Sequence, residues 1–125
     1  MKVLVDTHTL VWALVEPEML SASARRAVAA AEVTASVVSL WELILKAGKR
    51  DALLANPVRW WEKNVTGKGI RLPNIGIRHL SLLDEMPAVH RDPFDRIQVA
   101  QAMFEKIPIV SKDSVLAEYA IEVIW

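Results

Sequence analysis

The stretch "KVLVDTHTLVWALV", residues 2–15, decides the fold. Its first four residues form a short, β-branched, apolar run of the kind a strand buried on both faces of a parallel sheet requires. The run stops at Asp6, and "TLVWALV" then reads as a helix. Strand, acid, helix is the opening of an α/β unit, and the rest of the chain continues it. Ser21 can cap a helix through "ASARRAVAAA", whose alanines favour that state. "TASVV" is a second β-like run leading to Ser39, and "LWELILKAGK" a helix ending near Gly48.

Asn56 and Pro57 have the chemistry of a cap and first helical position for "VRWWEKNV", which "TGKG" ends. "IRLPNI" and "IGI" read as extended pieces, and "HLSLLDEM" as a short helix stopped by Pro87. Asp92 and Pro93 begin another helix that should run to about Lys106. "PIVS" is a third buried strand, "SVLAEY" a short helix and "IEVI" a last strand. Strands alternating with helices imply an α/β sandwich of three layers, a central, mostly parallel sheet flanked by helices. At 125 residues, with no repeat or linker, the expectation is a single domain over residues 1–125.

Composition removes several classes of function. Just over half the residues are apolar and five are tryptophan, which excludes a disordered chain. The absence of cysteine excludes disulfides, thiol nucleophiles and thiolate zinc sites, and fits a reducing, cytoplasmic setting. No run approaches the roughly 18 apolar residues of a membrane span, so no membrane is expected. Net charge is zero, but residues 43–80 carry eight Lys or Arg against two acids, and residues 81–125 carry eight acids against four bases. Polyanion binding would therefore be local.

Ligands of an open parallel sheet bind beyond the carboxyl ends of its strands. Asp6 ends the first strand, Glu42 lies about one turn into the helix after the second, and Asp113 follows the third in "PIVSKDS". Asp95, at the third helical position of "PFDRIQVAQAMF", shares a stripe with Val99 and Ala102 and should point toward the packed side. Carboxylates gathered on one rim repel and must take up protons or recruit cations. Mg²⁺, with its preference for oxygen, suits them, and such a site has the chemistry of phosphodiester hydrolysis. Singly, each acid has an ordinary explanation: Asp92 as an N-cap, Asp95 as a first-turn acid, Glu42 as the i,i+4 partner of Lys46. Lys46, Lys49 and the adjacent Arg50 suggest a cationic track for phosphates beside Glu42.

Four stretches carry a family resemblance: "VLVDTHTLVWAL" (3–14), "SVVSLWELILKAGKR" (36–50), "HRDPFDRIQVAQAM" (90–103) and "IPIVSKDSVLAEY" (107–119). In this order they resemble the PIN-domain ribonucleases, most of all the VapC toxins of bacterial toxin–antitoxin operons. The resemblance implies that Asp6, Glu42, Asp95 and Asp113 form an acidic metal-binding quartet, that Thr7 and Ser111 support it, and that Asp92 is either a further ligand or a helix cap. It also implies Mg²⁺ or Mn²⁺ dependence, cleavage of RNA, a homodimer and a VapB-like antitoxin. The alternative is a catalytically silent PIN-like module that binds RNA or protein, which would have no use for clustered charge.

Other chemistries find little footing. "HRD" lacks the remainder of a kinase, "TGKGIR" lacks the Ser or Thr of a phosphate loop, and no serine sits in a nucleophile elbow. An Asp6 phosphotransferase would expect an acid at position 8, which is His. His90 reads as a solvated loop residue, Trp12 and Trp41 as buried, and of Trp60 and Trp61 at least one as core.

Overall fold

A computed structural model describes all 125 residues. Four strands, β1 (Lys2–Val5), β2 (Glu32–Ala35), β3 (Ile109–Val110) and β4 (Val123–Ile124), form one sheet in the order β2-β1-β3-β4. Every pairing is parallel, with Val5 in register with Ala35 on one side and with Val110 on the other. The helices are α1 (Thr7–Val15), α2 (Ala22–Ala30), α3 (Val37–Lys46), α4 (Pro57–Asn64), α5 (Ile77–Glu85) and α6 (Pro93–Glu105). This is the three-layer α/β sandwich expected from the strand–helix alternation.

Side-chain alternation along the strands splits the core in two. Leu4 and Ile109 pack with Val99, Ala102, Leu116 and Tyr119 on one face. Val3, Val5 and Val110 pack with Leu10, Ala24, Trp61 and Val65 on the other. Because both faces are covered, the buried residues of β1 and β3 are unbroken apolar runs, which is why "KVLV" could be read as a strand. No helix is long and apolar enough to cross a membrane.

Three local expectations need correction. The second strand ends at Ala35, and Ser36 caps α3 by accepting a hydrogen bond from the Val38 N–H at 3.2 Å. "SVV" therefore belongs to the helix start, where a serine cap outweighs the β propensity of two valines. Helix α5 starts at Ile77, two residues earlier than "HLSLLDEM", because the His79 ring accepts the Gly76 N–H at 2.9 Å and caps the first turn. Arg71 makes only an isolated bridge with Thr34, so "IRLPNI" contributes no full strand. "TGKG" is the expected turn, with Gly67 and Gly69 at φ +72° and +80°, where a side chain would strain the backbone.

Candidate active site

The parallel ladder sets the carboxyl ends of β1 and β3 side by side, so the residues that follow them, Asp6 and Ser111, become neighbours. Asp6 is the N-cap of α1 and its Oδ1 accepts the Thr9 N–H at 2.9 Å. The Ser111 side chain lies close enough to Asp6 to favour its ionised form, and its Oγ accepts the Asp113 N–H at 3.0 Å. One serine thus ties two of the expected acids together. Burial raises the Asp6 carboxyl above its ordinary range, against the opposing bonds from Ser111 and Thr9.

Asp95 reaches the same place from α6. Asp92 caps that helix, its Oδ1 accepting the N–H groups of Phe94 at 2.8 Å and of Asp95 at 3.4 Å. Pro93 occupies the first helical position, where its missing N–H costs nothing. The cap sets the phase of the helix, and the buried Val99 and Ala102 hold Asp95 toward the rim. Burial, followed by the like charges of Asp92 and Asp6, pushes the Asp95 carboxyl up to about 7. A carboxylic acid held near neutrality in this way is a site for a proton or a cation.

Asp6, Asp95 and Asp113 line a cavity of about 300 Å³ with His8, Trp12 and Lys112. Glu42 is not among its walls. It is 3% exposed and both its oxygens are engaged: Oε1 accepts from Thr7 Oγ1 at 2.7 Å and Oε2 from Lys46 Nζ at 2.9 Å. Thr7 Oγ1 also lies 3.0 Å from Ser39 Oγ and accepts from Gln98 Nε2 at 3.3 Å. Glu42 thus stands behind the cavity wall, bonded to Thr7, and its charge still bears on Asp95. Of the expected quartet, three carboxylates open on one space and the fourth stands one residue back.

The cationic track is altered by the same bonds. Lys46 is committed to Glu42, whose hydrogen bond raises the ammonium above its usual range. Helix α3 ends at Lys46, so Lys49 and Arg50 sit in the following turn, exposed, rather than on a helical face with Glu42.

Two readings of single residues change, and one residue was missed. His90 is half-buried and its Nε2 lies 2.7 Å from Asp113 Oδ2 and 3.3 Å from Asp95 Oδ2. The three donor-type atoms lie within 4.8 Å of one another. Nothing in the spacing of "HRDPFDR" announces this, because Asp113 is 23 residues away and arrives through the sheet. Lys112, in "SKDS", lines the cavity and could have been found by its place beside Asp113 past a strand end. Trp41, expected to be buried, is 57% exposed and stacks edge-on against Phe94 with ring centroids 5.2 Å apart. Trp61 is core and Trp60 half-buried, as the pair required.

The PIN domain model matches residues 3–122. The chain belongs to the PIN-domain family. Within it, the chain is 32% identical over 116 residues to ribonuclease VapC22 of Mycobacterium tuberculosis, the match covering 89% of this chain and 86% of that protein. The fold is shared with two solved structures of far lower identity. One is VapBC2 of Rickettsia felis bound to a DNA fragment from their promoter, with a TM-score of 0.69, 12% identity and 98% and 97% of the two chains covered. The other is FitAcB of Neisseria gonorrhoeae, with a TM-score of 0.63, 13% identity and 97% and 95% covered. All of the carboxylates described above lie inside the matched PIN segment.

A divalent cation suits the donor set on two observations. The acids on the cavity wall, which His8 shares, offer carboxylate oxygens, the hard donors that divalent cations such as Mg²⁺ and Mn²⁺ prefer. Asp95, moreover, is held at a proton affinity that only crowding with other acids and burial produce, and a cation would relieve it.

Proposed function

We propose that this PIN-domain protein is a Mg²⁺-dependent endoribonuclease, the toxin of a VapBC-like toxin–antitoxin pair, acting in the cytoplasm. The observation that carries the chemistry is the opening of Asp6, Asp95 and Asp113 onto one cavity. These three would hold the ion, with Mn²⁺ as an alternative to Mg²⁺. The bound ion supplies Lewis acidity toward the phosphodiester and toward the attacking water.

The chain's own groups do the rest. Ser111 and the Thr9 N–H fix Asp6, and the cap at Asp92 fixes Asp95, so the carboxylates need little rearrangement to receive an ion. In this reading Asp92 is a cap and a source of negative potential rather than a ligand. Glu42 holds Thr7 against the rim and acts on the site through it. Lys112, on the cavity wall, is placed to meet a phosphate, and Trp12 with His8, whose rings lie 5.3 Å apart, offers an aromatic wall for a base. Lys49 and Arg50 extend the positive potential outward.

The partners follow the same reading: RNA as substrate, a second copy in a homodimer, and a VapB-like antitoxin. The exposed apolar side chains of α3, Val37, Trp41, Ile44 and Leu45, support a protein partner on that helix. An inhibitory segment could lay an apolar helix there and send a basic side chain to the carboxylates.

The test is incubation of the purified chain with cellular RNA in chelator, then in Mg²⁺ and in Mn²⁺, with mapping of the new RNA ends. Cleavage that appears only with the ion and is blocked by the product of an adjacent small gene is the expected result. RNA binding without cleavage in either ion would instead favour the silent binding module.

A further inference from the structure

His90 is held by more bonds than a loop residue needs. Its backbone N–H donates to the Tyr119 hydroxyl at 2.9 Å, its Nδ1 accepts the Asp92 N–H at 3.0 Å, and its Nε2 sits between Asp113 and Asp95. A backbone N–H can only donate. Nδ1 therefore presents its lone pair to Asp92, and in the neutral ring the proton must sit on Nε2. A metal bound to Nε2 would require the opposite tautomer, with the proton on Nδ1 pointing at the Asp92 N–H. The three-atom convergence of His90, Asp95 and Asp113 thus looks like a ligand set while its tautomer forbids one.

We propose that His90 is a positioning residue and not a metal ligand: its Nε2–H donates to Asp113 Oδ2 at 2.7 Å and sets that oxygen beside Asp95 Oδ2, itself 3.3 Å from Nε2, leaving an ion to be held by oxygen alone. The proposal rests on the reading that Asp6, Asp95 and Asp113 take a divalent cation. The same Asp92 that caps α6 also sets the histidine tautomer, one side of the residue facing the helix and its N–H facing the ring. The segment "HRDPFDR" is then one device. It starts the helix that carries Asp95 and supplies the donor that holds an acid from beyond β3 beside it. An oxygen-only site favours Mg²⁺ and Mn²⁺, whereas an imidazole ligand would move preference toward Zn²⁺.

The experiment is ¹⁵N-histidine NMR of the wild-type protein in chelator, then with saturating Mg²⁺ and separately with Zn²⁺ as probe ions, joined to calorimetric titration of Mg²⁺ into His90→Gln and His90→Ala. Gln keeps an N–H at the position of Nε2 but offers no imidazole nitrogen. The expected spectrum shows Nε2 protonated and Nδ1 unprotonated with and without either ion. The expected affinities fall about 10–100-fold for His90→Ala, the usual loss for an outer-shell partner, and stay nearer wild type for His90→Gln. A proton on Nδ1 in chelator, or an Nε2 that loses its proton when either ion binds, overturns the proposal. An equal loss of Mg²⁺ affinity in both folded variants overturns it as well. If Mg²⁺ does not bind the wild type at all, the metal reading fails separately, and the chelator spectrum still decides whether the Nε2–H bond exists.

Discussion

Asp95 and Glu42 lie on different helices that approach the same rim, and their surroundings are opposite. Glu42 is buried with a hydroxyl on one oxygen and an ammonium on the other. Asp95 is half-buried, and that burial together with the like charges of Asp92 and Asp6 outweighs the nearby His90 and pushes it up to about 7. Burial alone therefore does not set the charge state of an acid; its partners do. A carboxylate with its own cation is a structural part, and one left among like charges is a place where a cation from solution is wanted.

The widest separation between the two regions should be seen in catalysis. Asp95→Asn removes the crowded carboxylate while keeping its shape, and RNA cleavage should fall well beyond the roughly 10–100-fold that loss of an outer-shell partner costs. Asp92→Asn, which still caps α6, should retain a measurable part of the activity. Initial rates of RNA cleavage on folded variants check both, and equal, complete loss would mean that Asp92 acts on the metal as directly as Asp95.

Glu42→Gln should separate the regions in the other direction. Cleavage should drop by about 10–100-fold, because Thr7 loses its anionic partner, and the fold should lose about 1–3 kcal/mol with the Lys46 bond. Denaturant titration beside the rate measurement is the check. A variant as inactive as Asp95→Asn and as stable as wild type would place Glu42 in the cavity after all.

The pH dependence of stability belongs to Asp95, with Asp6 acting in the same direction. In the folded, metal-free chain Asp95 keeps its proton to about pH 7, whereas the unfolded chain releases it near the ordinary value of 3.8. The folded state binds more protons in that window, so unfolding free energy must fall as pH rises through it, the contribution being fully lost above about 7. Mg²⁺ should flatten the profile by replacing the proton. Thermal melts in chelator between pH 4 and 8, repeated with Mg²⁺, test this, and a melting temperature that rises with pH in chelator would remove the crowded acid from the account.

The smallest effect is expected outside both regions. Replacing Lys49 and Arg50 together by Gln should shallow the salt dependence of RNA binding by about 0.7 per charge removed and leave the site chemistry intact. Fluorescence anisotropy across a salt series reads it, and an unchanged slope would exclude the turn after α3 from the RNA path.

Much of this protein was open to sequence reasoning because its information is local. Buried parallel strands must be apolar on both faces, so "KVLV" and "PIVS" identified themselves, and the acids placed just past them fell on one rim by the geometry of any parallel sheet. The Asp92–Pro93 start and the inward stripe of Asp95, Val99 and Ala102 followed from capping and helical period. What spacing could not supply is which acid meets which partner. That required the strand order β2-β1-β3-β4, which brings Ser111 beside Asp6 and Asp113 beside His90, and the packing of α3 against α1, which puts Thr7 on Glu42. Local backbone energetics decided where carboxylates would gather. Only the tertiary contacts, by setting Lys46 and Thr7 on Glu42 and Asp92 and Asp6 near Asp95, decided that two acids on one rim meet different surroundings.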